Sequence, residues 1–345
     1  MTTHKTERVL LLGIDLGTAR TAVMSNRQFK GLVHTVVGYP KDIIGVKILN
    51  RTQVVGAEAI EKRSLLDLYY PLQDGMLKEA SEKDLDAARE LLQQVVAMAT
   101  PAAGDKVCGI IAIPARAALS NKGQLLKLMD GIMDTAALVA APFMVAYGQD
   151  RLSNALIIDV GAGTIDLCAM RGTIPGPDQQ LSIFKGGNYI DGLLEAAIRD
   201  GHSGVHVDRY LAQAIKERYG FVGQPEQRVV VPLRIHGKPA EVDVTEAIRV
   251  TCETIVADIV EGIKRMLLQF DPECQAAALT NLVLAGGGAR IRGLGPMIEN
   301  DLREYGEVKV TVSSEPEFAA AAGALKLATE LPPEYWDQIG DVVSR

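Results

Sequence analysis
The feature that most constrains this chain is an apolar strand ending in an acidic glycine turn, which occurs twice. Near the N-terminus the run Val9-Leu10-Leu11-Leu12-Gly13-Ile14 ends in Asp15-Leu16-Gly17-Thr18. Far downstream, Ala155-Leu156-Ile157-Ile158 ends in Asp159-Val160-Gly161-Ala162-Gly163-Thr164. Each reads as a buried strand, a tight turn and a second strand. Glycine in such a turn lets backbone N–H groups approach a phosphate, and the Thr hydroxyl adds a donor. The Asp at the strand end suits a hydrated metal ion held against phosphates. A single copy is compatible with an ordinary hairpin. Two copies point to two related half-molecules closing on one nucleotide. No G-x-G-x-x-G opens a helix after the first strand, which separates the pattern from a dinucleotide-binding fold.

The 345 residues, 48% of them apolar, are enough for two cores. With 36 basic against 43 acidic residues and a net charge of −7, nucleic acid is not expected as the main partner. Cys108, Cys168, Cys252 and Cys274 form no C-x-x-C pair, so buried reduced thiols are expected rather than a zinc site or a disulfide framework. His4, His34, His202, His206 and His236 show no metal-ligand spacing and read as surface or loop residues. Met1 to Arg8 is polar and charged, so no targeting segment is expected there, and no run approaches the ~20 apolar residues of a membrane helix.

Strands and helices alternate, the pattern of an α/β protein. The first half is read as residues 1–150, with a small inserted subdomain at about 37–72 whose Gly- and Pro-rich start reads as short strands and loops. Helical periodicity runs over 82–99, with Ser81 as N-cap, and over 121–136 after a strand at 107–113. The second half is read as 151–317, with an insertion at about 186–245. Helices are expected at 190–199 and 207–219, then a hairpin around His236-Gly237. One long amphipathic helix is expected from Thr245 to about Gln269. Residues 318–345 are expected to pack back on the first half, and Trp336 to pack onto the domain.

Three further segments suit a nucleotide. Gly286-Gly287-Gly288 follows a strand, where glycines let backbone lie flat against a base and ribose. Lys216-Glu217, late in a helix, can offer a cation and a carboxylate to an adenosine, although a solvated pair is the simpler reading of the two residues alone. Arg290 and Arg292 beside the glycine run are as well placed for solvent as for a ligand. Ala140 to Gly148 reads as a strand-to-helix connection between the halves.

In order and spacing these segments resemble the actin, Hsp70 and sugar-kinase ATPase superfamily over nearly the whole chain. GIDLGT is similar to its first phosphate loop, DVGAGTID to its second, AGGGARIRGL to its adenosine motif, and IKERYG to the lysine–glutamate helix of bacterial actins. Residues 37–45, 70–75, 172–177 and 331–342 resemble the MamK family of bacterial actins, which organise magnetosome chains. The resemblance implies an actin-like two-domain ATPase fold, two α/β halves each with a smaller subdomain, around a nucleotide cleft. ATP or ADP with Mg²⁺ would be held by Asp15, Gly17, Thr18, Asp159, Gly161, Gly163, Thr164, Lys216, Glu217, Gly286, Gly287 and Gly288. Asp15 and Asp159 would meet the metal through water. The implied protein forms homopolymeric cytoplasmic filaments near magnetosomes, with an acidic adaptor and a Glu-bearing paralogue as partners and no membrane insertion.

One departure from the family stands out. Bacterial actins carry a Glu before the proline of the connecting segment, where it orients the attacking water; here the residue is Ala141. A methyl group accepts no hydrogen bond from water, and such water-positioning groups contribute about 10²–10⁴-fold. Slow hydrolysis is therefore expected, with Asp159 and Asp166 as the remaining polar groups near the γ-phosphate. Three function classes follow: a filament-forming cytoskeletal protein, a small-molecule kinase of the same superfamily, or a weakly hydrolysing subunit that co-polymerises with a competent actin. A kinase needs a substrate pocket and a catalytic Asp that no segment clearly supplies. An Hsp70-like chaperone is disfavoured, because no peptide-binding segment is read.

Overall fold
The computed structural model describes residues 8–78, 81–332 and 335–336. His4 and the stretches 1–7 and 337–345, on which some of the expectations above fall, lie outside the described residues. The chain divides into two compact units, Met1–Asp150 with Phe318–Arg345, and Arg151–Glu317.

In the first unit the apolar run forms β1 (Val9–Leu16), followed by β2 (Arg20–Ser25) and β3 (Lys30–His34). A small three-stranded sheet comes next, built from β4 (Val37–Pro40), β5 (Val54–Val55) and β6 (Leu66–Tyr69), with helices α1 (Ile43–Leu49) and α2 (Ala57–Glu61) between its strands. The hairpin of β7 (Leu72–Gln73) and β8 (Met76–Leu77) leads to α3 (Glu82–Met98), β9 (Lys106–Ile113), α4 (Leu119–Met129), β10 (Thr135–Ala140) and α5 (Ala141–Gly148). The main sheet has the order β3-β2-β1-β9-β10. β1 is antiparallel to β2 and parallel to β9, so its residues are covered by strands on both sides.

The second unit repeats that sheet. It comprises β11 (Ser153–Val160), β12 (Ile165–Arg171), β13 (Gln180–Ile183), α6 (Gly187–Gly201), β14 (Val205–His206), α7 (Arg209–Tyr219), β15 (Val230–Ile235), β16 (Lys238–Asp243), α8 (Thr245–Glu253), α9 (Val256–Leu267), α10 (Pro272–Leu279), β17 (Leu282–Ala285), α11 (Leu294–Leu302) and β18 (Val310–Val312). The sheet order is β13-β12-β11-β17-β18, again with two antiparallel neighbours on one side of the loop-bearing strand and parallel neighbours on the other. The duplication read from two short motifs is therefore a duplication of whole sheets. The chain then returns to the first unit as α12 (Ala319–Glu330), which packs on β1 and α5.

Four local expectations are corrected. The segment after β4 is not all strand and loop: Asp42 caps α1 by accepting from the N–H of Ile44 and Gly45, both at 2.9 Å, and Asn50 ends it in a left-handed conformation. The helix expected over 121–136 stops at Met129, and Gly131, with φ +73°, turns the chain. Thr135–Ala140 then pairs in parallel with β9, where partner strands outweigh helical periodicity. The long helix from Thr245 is interrupted at Thr254-Ile255. There the Thr251 and Thr254 hydroxyls donate to the carbonyls of Ala247 and Thr251, at 2.7 and 2.6 Å, which bends helices. Finally, Cys108, Cys168 and Cys252 are buried but Cys274 is only half-buried. Ser81 caps α3 by accepting from the Asp84 N–H at 3.2 Å, as its sequence position predicts. Trp336 is buried, with 6% exposed. No described helix is long and apolar enough to cross a membrane.

Candidate functional site
The first loop, Gly17 to Ala19, joins β1 to β2 and is held from two directions. Thr35, on the link between β3 and β4, donates its backbone N–H to the Ala19 carbonyl at 2.9 Å and its hydroxyl to the Gly17 carbonyl at 2.7 Å. The Thr21 hydroxyl lies 3.0 Å from that of Thr35, and both residues are buried. The Gly75 N–H donates to the Thr18 hydroxyl oxygen at 2.6 Å. A hydroxyl that accepts in this way keeps its own proton to donate, so Thr18 suits an anion. Asp15, one residue before the end of β1, is half-buried between the buried Ile14 and Leu16.

The second loop, Gly161 to Thr164, joins β11 to β12, and its Gly161 N–H donates to the Thr164 carbonyl at 2.9 Å. Here the Thr differs from its counterpart. Thr164 is buried and donates its hydroxyl to Asp166 at 2.8 Å, so in this arrangement it braces the loop. Asp166 is also buried and accepts a second hydroxyl from Ser182, its register partner on β13. Asp159 is half-buried and pairs in register with Asp166 across β11 and β12, which puts both side chains on one face of the sheet.

The glycine run is explained mainly by packing inside its own unit. A Cβ at Gly286, where φ is +76°, would stand 2.4 Å from Asp159 Oδ1, and one at Gly288 would stand 2.2 Å from Val160 Cγ1. The collision expected with a base and ribose is thus, at these two positions, a collision with β11. Only Gly287 has open space before it, with nothing within 4 Å of a Cβ. Of the flanking arginines, Arg290 forms a forked ion pair with Glu317, and Arg292 donates to the Tyr219 carbonyl at 3.1 Å.

Lys216 and Glu217 part company. Glu217 is exposed and accepts from Gln213 at 2.9 Å. Lys216 is not the solvated residue of the simpler reading. Its Nζ donates to the Gly187 carbonyl at 2.8 Å and lies 2.7 Å from Asp191 Oδ1, with only 11% of the lysine side chain and 1% of the aspartate side chain exposed. The Asp191 contact is an ion pair outside hydrogen-bonding angles, and neither carboxylate oxygen has a hydrogen-bond donor. Burial pushes the Asp191 carboxyl above the usual carboxylate range, against the pull of the Lys216 charge.

Residues 10–333 match the MreB/Mbl protein family. The chain belongs to that family. The actin-like protein MamK of Paramagnetospirillum magneticum is 50% identical to it over 333 residues, which cover 96% of each chain. A solved MamK double helical filament superposes with a TM-score of 0.92 at 49% identity, covering 94% of this chain and 100% of that one. A non-polymerising MamK mutant bound to AMPPNP gives 0.73 at 48% identity, over 94% of this chain and 100% of that one. The fold is actin-like, and this member of the MreB/Mbl family is a MamK homologue.

The donors present in this MreB/Mbl chain fit a nucleotide that brings its own metal. Among the described residues no group of three or more His, Cys, Asp or Glu could hold a metal ion unaided. Mg²⁺ suits such a case, because it takes one or two carboxylates plus substrate phosphates and keeps its waters. Asp15 and Asp159, half-buried at the ends of β1 and β11, are carboxylates of that kind. Three residues outside the sequence motifs also contribute: Asp191, Thr35 and Ser182. Asp191 falls on the apolar stripe Ile190, Leu194 and Ile198 of α6, and a charge on a buried face is a signal that can be read. Thr35 and Ser182 carry no local signal, since only the pairing of distant segments brings them to the loops.

Proposed function
We propose that this chain binds Mg-ATP through its two phosphate loops and assembles into cytoplasmic filaments near magnetosomes. The observation that carries the reading is the repeat of one sheet with one Gly-turn loop in both units of a MamK homologue. The filament and AMPPNP structures of its relatives support it. Asp15, Gly17 and Thr18 on one loop, and Asp159, Gly161, Gly163 and Thr164 on the other, are the proposed phosphate and Mg²⁺ residues, with Glu217 and Gly287 facing the nucleoside, and Gly286 and Gly288 letting the glycine run pack against β11. When bound, Mg²⁺ neutralises phosphate charge. The chain's own part is to present amides and the Thr18 hydroxyl to the phosphates and to hold two carboxylates in place. An acidic adaptor and a Glu-bearing paralogue are proposed partners. No relative or structure named above is a small-molecule kinase, and that alternative has no support.

Binding restricted to the folded state stabilises it by about 2.7 kcal/mol at a hundred times Kd, roughly 5–10 °C for units of this size. Thermal melting with millimolar Mg-ATP and Mg-ADP should show that rise. An unchanged Tm with both nucleotides would refute the nucleotide reading.

Ala141 sits at the first position of α5, with 6% exposed. A carboxylate there is favoured by the helix N-terminus. Ala141→Glu is therefore expected to speed phosphate release by about 10-fold. Equal rates, measured per polymerised subunit for parent and variant, would show that Ala141 is not the brake on hydrolysis.

A further inference from the structure
The second phosphate loop rests on the start of α6, and Lys216 secures that start from behind. The N–H groups of Gly187 and Asn188 donate to the carbonyls of Gly161 and Ala162 at 3.0 and 2.8 Å. Carbonyls engaged there do not turn toward an anion. The Gly187 carbonyl in turn accepts from Lys216 Nζ. A Cβ at Gly187 would stand 2.9 Å from that Nζ and 3.6 Å from Ala162 Cα, so ammonium, helix start and loop form one packed stack.

We propose that Lys216 is a positioning residue for phosphate loop 2, with buried Asp191 as its counter-ion, and that Glu217 alone of the Lys-Glu pair meets the nucleoside. The role rests on the nucleotide reading above. It differs from a direct adenosine contact for a physical reason. An ammonium has three donors, and Lys216 already gives one to Gly187 and its charge to Asp191. Swinging it out to a ligand would strand a carboxylate with 1% exposure, and an unpaired buried charge is strongly unfavourable. Glu217, one residue on, is exposed at the surface, where it accepts from Gln213 at 2.9 Å.

The two roles separate when the two ends of the nucleotide are offered as separate probes. Calorimetric titration of the full chain with Mg-tripolyphosphate and with adenosine would be compared for parent, Lys216→Met and Asp191→Asn. In Lys216→Met the stranded carboxyl can take up a proton rather than unfold the unit. Asp191→Asn keeps the side-chain shape and carries the test if the first variant does not fold. Both variants are expected to bind tripolyphosphate about 10-fold more weakly, the value of one hydrogen bond to a charged group. Their adenosine affinity and their preference for ATP over GTP should match the parent's. A general loss of structure would lower both affinities together. If Lys216→Met loses adenosine affinity while tripolyphosphate binding holds and Asp191→Asn is silent, Lys216 is a direct ligand and the proposal is wrong. A parent that binds neither probe nor Mg-ATP would instead overturn the nucleotide reading on which the role rests.

Discussion
Gly323→Ala is expected to lower the melting transition of the first unit by roughly 6–12 °C, a cost of about 3 kcal/mol or more. Helix α12 lies flat against both β1 and α5, and glycines set how closely it can do so. A Cβ at Gly323 would stand 1.7 Å from the Met144 carbonyl oxygen and 2.6 Å from its carbon. On the β1 side, a Cβ at Gly13 would stand 2.2 Å from the Ala321 carbonyl oxygen and 2.3 Å from the Leu325 nitrogen. Both contacts are with backbone, which cannot swing aside as a side chain can. The helix would have to lift from a core that is close-packed, and its Ala320, Ala321, Ala324 and Ala328 would lose their buried contacts. Gly123→Ala is the control. Gly123 lies within α4 with nothing within 4 Å of a Cβ, so the same change there should stabilise by about 1 kcal/mol through helix propensity. If calorimetry or circular-dichroism melting finds Gly323→Ala as stable as the parent, α12 does not pack as described.

Asp159→Ala should leave the fold intact and reduce Mg²⁺-dependent phosphate release by about 10²-fold or more. Asp159 is half-buried at the end of β11, in register with Asp166 and close to Gly286, so losing its carboxylate removes a small polar group rather than core volume. Asp166 is a poor substitute, because it is buried and accepts the hydroxyls of Thr164 and Ser182. Phosphate release titrated against Mg²⁺, with a melting curve for each protein, checks the effect. Equal turnover and equal Mg²⁺ dependence in parent and variant would remove Asp159 from the site.

Much of the fold was legible because apolar runs closed by Asp and Gly carry their own meaning. Both loops, their strand–turn–strand form and the cap at Ser81 follow from local chemistry. What escaped depends on distant partners. Thr135 and Ala136 continue the helical pattern of 121–136 until β9 lies beside them. The break at Thr254 depends on which carbonyl a Thr hydroxyl chooses. At the site, glycine spacing pointed to a close approach but not to what approaches: for Gly286 and Gly288 it is β11. Lys216 was legible as a functional candidate, but not its burial against Asp191, because that pair joins two helices.

Sedimentation of the purified chain with and without Mg-ATP tests whether nucleotide drives its assembly into filaments. With Mg-ATP the chain is expected to pellet as filaments visible by electron microscopy, and without nucleotide to stay in the supernatant. A chain that stays in the supernatant with Mg-ATP across salt and protein concentrations, or pellets equally without it, would mean that nucleotide does not drive assembly.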